Sequence, residues 1–446
     1  MKFTFERAVN FIDGLDKFGI NPSLDNIKKL CNVLKDPQDN FPSVHVVGTN
    51  GKTSTARFIA RILCSLTGSF GTYISPHIQS YTERFLICEE EIAKGRFAQI
   101  AAVIEKETRM FSGTDPSVQI TQFEFLTAMA FKYFEQERVD GAVLEAGMGG
   151  RWDATNAKDS RVVVFMPVGL EHCKILGNTV EEIAGEKAGV ISKGSDVVLM
   201  STDPGVRNVV QKRCRETSSR LFVFNNDFNL EKKQLCGGSY SIKFRSPLFG
   251  AILFKVKDNP SFQMENLLAA TVASALFLRS LPANFNNVIS RVAGQLKIAG
   301  RFEIVSRSPL VILDGGHNPQ AVCTLVNELN NIKVDGEKFV IFAAFDDKDV
   351  ASMLVLLAKH ADHFIFTSSG NRRSFEPREL ERIYKSLLAN DMIRQEVDCL
   401  IFDDIAVSLK EALELACPED AVIVTGSISN IGPSKEYLRS AEIKQH

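Results

Sequence analysis

The chain has 446 residues, 45% of them hydrophobic and 24% charged, with a formal net charge of −2. This is the composition of a soluble globular protein, long enough for about two or three domains. No basic tail or stripe offers a nucleic-acid surface, and no apolar run approaches the roughly 18 residues of a membrane span.

In chain order, "MKFTFERAVNFIDGLDKFGI" carries Glu6 and Asp13 and reads as an amphipathic helix, not a signal peptide. "SVHVV", "GTYIS", "GAVLEAG", "RVVVFMPVG" and "SDVVLM" read as strands, with "ARFIARILCSL", "QIAAVIEKETRMF" and "FEFLTAMAFKYF" as helices between them. Continuous apolar runs without strict alternation suit parallel strands covered on both faces. Residues 237–256 alternate around Pro247 and Gly250 and predict an antiparallel hairpin appended to the parallel sheet. Helices follow in "MENLLAATVASALFLRSL" and "NFNNVISRVAGQL". The pattern restarts near Gly300 with the strands "LVILDGG", "KFVIFAAF", "HFIFTSS", "CLIFDD" and "AVIVTGS". The expected organisation is an α/β fold: a P-loop parallel-sheet ATPase domain with the hairpin over 1–297, and a smaller Rossmann-like α/β domain over 298–446. The short linker "KIAGRFE" suggests that the two face each other across a cleft. Nine cysteines lack any CxxC pair and read as free thiols of a reducing cytosol.

"GTNGKTST", residues 48–55, follows the apolar run of 43–47 directly. In a strand–loop–helix unit the freed N–H groups and the helix dipole converge on an anion. Lys52 would place its charge on the β- and γ-phosphates, and the Thr53 hydroxyl would reach Mg²⁺. The full P-loop pattern wants a glycine where Val46 stands, so the motif is shortened.

Ligands bind beyond the carboxyl ends of parallel strands. There, "GTYIS" delivers Ser75, "GAVLEAG" delivers Glu145, and "RVVVFMPVG" delivers Leu170-Glu171-His172. Ser75 and Glu145 are oxygen donors of the kind Mg²⁺ prefers, and His172 is a less usual ligand for a second ion. Singly, each has a structural reading: a turn serine, a salt-bridged glutamate, a histidine satisfied by backbone. Lys187 in "EEIAGEKAGV" either pairs with Glu186 or Glu182 or, buried and neutral, takes up CO₂ as a carbamate; periodicity leaves both open.

These blocks, with "SPHIQSYTERFLI", "AGRFEIV", "LVILDGGHNPQA" and "VTGSISNIG", resemble the folylpolyglutamate synthase and dihydrofolate synthase family of the Mur ligase superfamily, essentially end to end. The resemblance implies a cytoplasmic ATP-dependent amide ligase. It would add L-glutamate to a pterin-bearing carboxylate through an acyl phosphate. Asn50, Gly51, Lys52, Thr53 and Ser54 would contact ATP; Ser75, Glu145 and His172 would hold two Mg²⁺ ions, with a monovalent cation as an optional third. Lys187 would be the carbamylated lysine. Asn266, Arg301 and Asp314 would complete the nucleotide site from across the cleft, with His317 near them. Lys52, His172 and Lys187 would be the catalytic set, the last two by fixing metal. A monomer with small-molecule partners only is expected. The chain departs from the family in GKTS for GKGS, in GLEH for GLDH at Glu171, and in Gly316 where alanine is usual, the last expected to matter little.

Rival readings are a peptidoglycan, UDP-muramoyl-type Mur ligase, which "GKTST" also fits, and an ATP-binding module without catalysis. The glycine stretch "AGMGGRWD" suggests a dinucleotide dehydrogenase only weakly, since no acidic residue stands at a convincing ribose distance.

Overall fold

The computed structural model describes all residues except 1–2, 16–22, 115–118, 236–238, 258–259, 296, 395 and 445–446. Part of the amino-terminal helix expectation thus lies outside the described residues; Phe5–Asp13 is helical. The chain divides into two compact units, Met1–Leu296 and Lys297–His446.

The first unit is built on eight strands: β1 (Ser43–Val47), β2 (Phe70–Tyr73), β3 (Phe85–Ile87), β4 (Glu90–Glu91), β5 (Gly141–Glu145), β6 (Val162–Phe165), β7 (Asp196–Leu199) and β8 (Arg220–Val223). Their order is β4-β3-β2-β5-β1-β6-β7-β8. β1 lies parallel between β5 and β6, with Val46 opposite Glu145 and Val47 opposite Phe165. All five residues of β1 and of β5 are buried, as continuous apolar runs require. One face of the sheet is covered by a cluster around Tyr73, Phe125, Phe131 and Phe134 near β2 and β5, and by a second around Phe165, Ile183, Ile191 and Leu199 near β6 and β7. β3 and β4 add an antiparallel edge.

The expected hairpin forms from β10 (Ser239–Ser246) and β11 (Gly250–Lys257), but β9 (Asn229–Gln234) joins it. The three make a sheet of their own, not an extension of the parallel one. Helix Ser261–Leu278 follows and packs along helix Lys52–Thr67.

The second unit holds β12 (Glu303–Arg307), β13 (Leu310–Leu313), β14 (Lys338–Phe342), β15 (His363–Phe366), β16 (Asp398–Ile401) and β17 (Ala421–Thr425). Their order is β12-β13-β17-β14-β15-β16, parallel except for β12.

The cysteines correct the sequence reading in one place. Cys64, near the end of the helix that starts at Lys52, is disulfide-bonded to Cys88, 24 positions on, with a Cα separation of 5.6 Å. Among the described residues Cys31, Cys173, Cys214, Cys323, Cys399 and Cys417 are free.

Candidate active site

The loop after β1 reaches its helix through Gly51, whose φ of +84° favours a residue without a Cβ. A Cβ there would also lie 2.7 Å from Oδ1 of Asn266. The helix begins at Lys52, so its free N–H groups face the end of β1. Lys52 Nζ donates to the carbonyls of Gly48 and Thr49 at 3.0 and 3.1 Å, curling its charge over the loop. Thr49 is tied to the strand-end segment beyond β6: its N–H donates to the Pro167 carbonyl at 2.9 Å, and its Oγ1 accepts from Gly169 N–H at 3.0 Å.

Two of the strand-end residues, Ser75 and Glu145, meet the loop helix here. Thr53 Oγ1 bonds Glu145 at both oxygens, 2.9 and 3.0 Å, and the Ser75 backbone N–H donates to Glu145 Oε2 at 3.3 Å. Glu145 is 1% exposed. A buried carboxylate with the Thr53 hydroxyl bonded to it offers hard oxygen donors of the kind that fit Mg²⁺, and Ser75 adjoins it through its backbone. His172 occupies the left-handed region, φ 48°, at the start of the short helix Cys173–Leu176. Among the described residues no cluster of three or more His, Cys, Asp or Glu side chains stands ready as a metal cage.

Lys187 is buried at the end of helix Val180–Lys187. Its Nζ donates to the Gly48 carbonyl at 3.0 Å and pairs with Glu171 Oε1 at 2.6 Å. The partner is therefore neither Glu186 nor Glu182. Glu186 lies 3.7 Å from Arg151, and Glu182 accepts the Asn178 N–H at 2.7 Å. Burial lowers the proton affinity of Lys187, and Glu171 works the other way.

Asn266 is also corrected. It belongs to the first unit, on helix Ser261–Leu278, and needs no cleft to reach the phosphate loop. Its amide donates to Gln263 Oε1 at 3.2 Å, and Gln263 donates to Ser54 Oγ at 3.3 Å. Asn50 sits in the loop itself, between β1 and the helix.

In the second unit, Asp314 follows β13 and accepts the N–H groups of Phe302 and Gly316, each at 2.8 Å. Burial pushes its carboxyl up, and Arg301 pulls it back. His317 Nδ1 lies 3.0 Å from the Gly315 carbonyl. Gly316 is less neutral than the sequence suggested, because a Cβ there would meet Asp314 Oδ1 at 2.7 Å.

Sequence reading missed a supporting network behind Glu145. Asp153 accepts the N–H groups of Gly147 and Met148 at 2.8 and 2.9 Å, holding the glycine-rich loop that leaves β5. Thr155 Oγ1 bonds Asp153, and His45 Nε2 lies 2.8 Å from Thr155 Oγ1. Burial pushes the His45 imidazole down to about 3, so it stays neutral. Asp153 carried a signal, a lone acid closing the glycine stretch; Gln263 had only its spacing of three residues before Asn266.

Comparison with known proteins places this geometry in context. The Mur ligase middle domain family matches residues 46–274, and the family described as Mur ligase, glutamate ligase domain matches residues 300–428. The chain is 32% identical over 368 residues to the dihydrofolate synthase/folylpolyglutamate synthase of Bacillus subtilis (strain 168), covering 81% of this chain and 84% of the relative. The Mycobacterium tuberculosis folylpolyglutamate synthase complexed with ADP superposes with a TM-score of 0.89 at 26% identity, over 97% of each chain. The bifunctional folylpolyglutamate synthase/dihydrofolate synthase of Yersinia pestis, complexed with AMPPNP and Mn ion, gives 0.84 at 27% identity over 98% of each.

Proposed function

The chain belongs to the folylpolyglutamate synthase/dihydrofolate synthase family of Mur ligases, and on that footing we propose how its residues perform an ATP-dependent ligation of L-glutamate to a folate or dihydropteroate carboxylate. A carboxylate does not condense with an amine at neutral pH, because its leaving group would be an oxide. Transfer of the ATP γ-phosphoryl group to it gives an acyl phosphate, from which phosphate leaves when the glutamate amine attacks. The first step asks the protein for positioning and charge neutralisation.

Lys52 and the helix amino terminus behind Gly51 supply the positive end of the phosphate site, with Asn50, Thr53 and Ser54 around it. Glu145, Ser75 and His172 are the residues to hold divalent metal, which neutralises phosphate charge when bound. Thr53 keeps Glu145 aimed at the loop. Asn266 braces the loop at Gly51. We assign Arg301, Asp314 and His317 to nucleotide binding, and residues 298–446 to the seating of glutamate. Lys187 is proposed as the carbamylated lysine; burial favours the neutral amine this needs, whereas Glu171 favours the ammonium. The same reading makes the enzyme a cytoplasmic monomer that takes only small molecules.

The observation that carries the proposal is the bond from Thr53, inside the phosphate loop, to both oxygens of the strand-end Glu145. The test is ADP release by the pure protein with dihydropteroate, with tetrahydrofolate and with neither. Glutamate-dependent release with one or both acids is expected. ATP hydrolysis indifferent to glutamate and to either acid would reduce the protein to an ATPase.

A further inference from the structure

β3 and β4 are joined by two residues, Cys88 and Glu89, with Ile87 facing Glu90 across the turn. Both turn residues hold positive φ, 51° and 72°. A two-residue turn of this kind favours Asn-Gly, because other side chains cost energy in the left-handed region. Cysteine and glutamate are poor choices for this backbone. The reason for them lies in what their side chains hold.

Both hold the same helix. Cys88 is bonded to Cys64 in the last turn of helix Lys52–Thr67. Glu89 Oε2 pairs with Arg57 at 2.7 Å and with Arg61 at 3.3 Å, on the turns before it. The turn is thus clasped to the helix twice, once by charge and once covalently. The helix starts at its other end with Lys52 of the phosphate loop. β3 closes the segment 74–84, which carries Ser75. There the Ile74 N–H donates to the Arg84 carbonyl at 3.1 Å, and Thr82 Oγ1 donates to Glu91 of β4 at 2.6 Å.

Cys64 and Cys88 are only half-buried, so a small thiol can approach their sulfurs. Cys31 and Cys214 differ: burial pushes their thiols up to about 12 and about 11, which leaves little thiolate to exchange. In a reducing cytoplasm, disulfides are rare, and those that occur are mostly transient or redox-sensing.

We propose that Cys64–Cys88 is a reversible redox site. Its state sets how firmly the β3–β4 hairpin, and with it the segment carrying Ser75, is held to the phosphate-loop helix. Only the compartment rests on the reading of the chain as a cytoplasmic ligase; the exchange itself does not. The step is thiol–disulfide exchange with a low-molecular-weight thiol such as glutathione. One glutathione thiolate attacks a protein sulfur and forms a mixed disulfide, freeing the other cysteine. A second thiolate attacks that mixed disulfide and leaves as glutathione disulfide. Two glutathiones thereby supply two electrons and two protons, and both cysteines end as thiols. Glutathione disulfide drives the reverse.

The test incubates the native full chain with about 5 mM glutathione, then returns half of it to glutathione disulfide. Alkylation and peptide mass mapping should find Cys64 and Cys88 as thiols in the first sample and joined in the second. Amide hydrogen exchange over residues 85–92 should be at least about tenfold faster in the reduced sample, with a smaller gain over 75–84 and none in β14 or β17. Cys64→Ser should exchange like the reduced chain in both buffers. The proposal is overturned if the native chain keeps the bond in glutathione, or if the bond does not return. It is equally overturned if reduction leaves exchange over 85–92 unchanged, which would mean that Glu89 holds the turn without the bond.

Discussion

Glu171 Oε1 lies 2.6 Å from the Lys187 ammonium, which also donates to the carbonyl of Gly48 at 3.0 Å. One cation thus ties the segment after β6, helix Val180–Lys187 and the phosphate loop together. Burial by itself would raise the Glu171 carboxyl, yet Lys187 and Lys52 outweigh it and hold it at about 2, down from 4.5.

Glu171→Gln keeps the size of the side chain and removes its charge, leaving the ammonium buried without its counter-ion. Stability in urea unfolding is expected to fall by about 3–5 kcal/mol. The depressed carboxyl fixes the sign of the pH dependence: its contribution is complete above about 4.5 and is lost as pH falls toward about 2. Wild type should therefore lose stability across that window more steeply than the variant. Parallel curves would show that ionisation of Glu171 carries none of the stability.

The hydrogen bonds of Lys52 Nζ run to the carbonyls of Gly48 and Thr49 in its own loop. Lys52→Gln should leave the unfolding midpoint nearly unchanged while kcat falls about 10²–10³-fold, the usual loss for one donor aimed at developing charge. Steady-state kinetics beside thermal unfolding separates this from general damage.

Thr53→Val is nearly isosteric and deletes the hydroxyl that orients Glu145. Removing an outer partner of a metal-binding carboxylate commonly weakens metal binding about 10–100-fold. The Mg²⁺ concentration for half-maximal activity should rise within that range, with saturating Mg²⁺ restoring much of the rate. An unchanged Mg²⁺ profile would show that Glu145 is oriented without Thr53.

Gly316→Ala restores the residue usual in the family but would set a Cβ 2.7 Å from Asp314 Oδ1. That oxygen is buried and accepts the Gly316 N–H at 2.8 Å, so it has little freedom to retreat. We expect a loss of about 1–3 kcal/mol, the range for overpacking, read from the unfolding midpoint.

The strands that position the site were legible because they are buried on both faces. β1, β5 and β6 are short apolar runs, and the residues just past each carboxyl end could be assigned to one edge of the sheet. β9 was not legible: "NLEKKQ" is half-exposed to exposed along its length and carries no apolar period. The Glu171–Lys187 pair spans 16 residues and two elements, so helical spacing pointed to Glu182 and Glu186 instead. The approach of Cys64 to Cys88 likewise depends on β2 and β3 pairing as a hairpin, which no cysteine spacing announces.

The central claim is that the γ-phosphoryl group of ATP moves onto the carboxylate of the pterin-bearing acid. The most direct measurement follows ¹⁸O from that carboxylate during glutamate-dependent turnover. Phosphate released by the enzyme should carry one labelled oxygen, because the bond broken by the amine leaves that oxygen on phosphorus. Unlabelled phosphate, released while the amide forms, would contradict the acyl phosphate and the role given to the Lys52 loop.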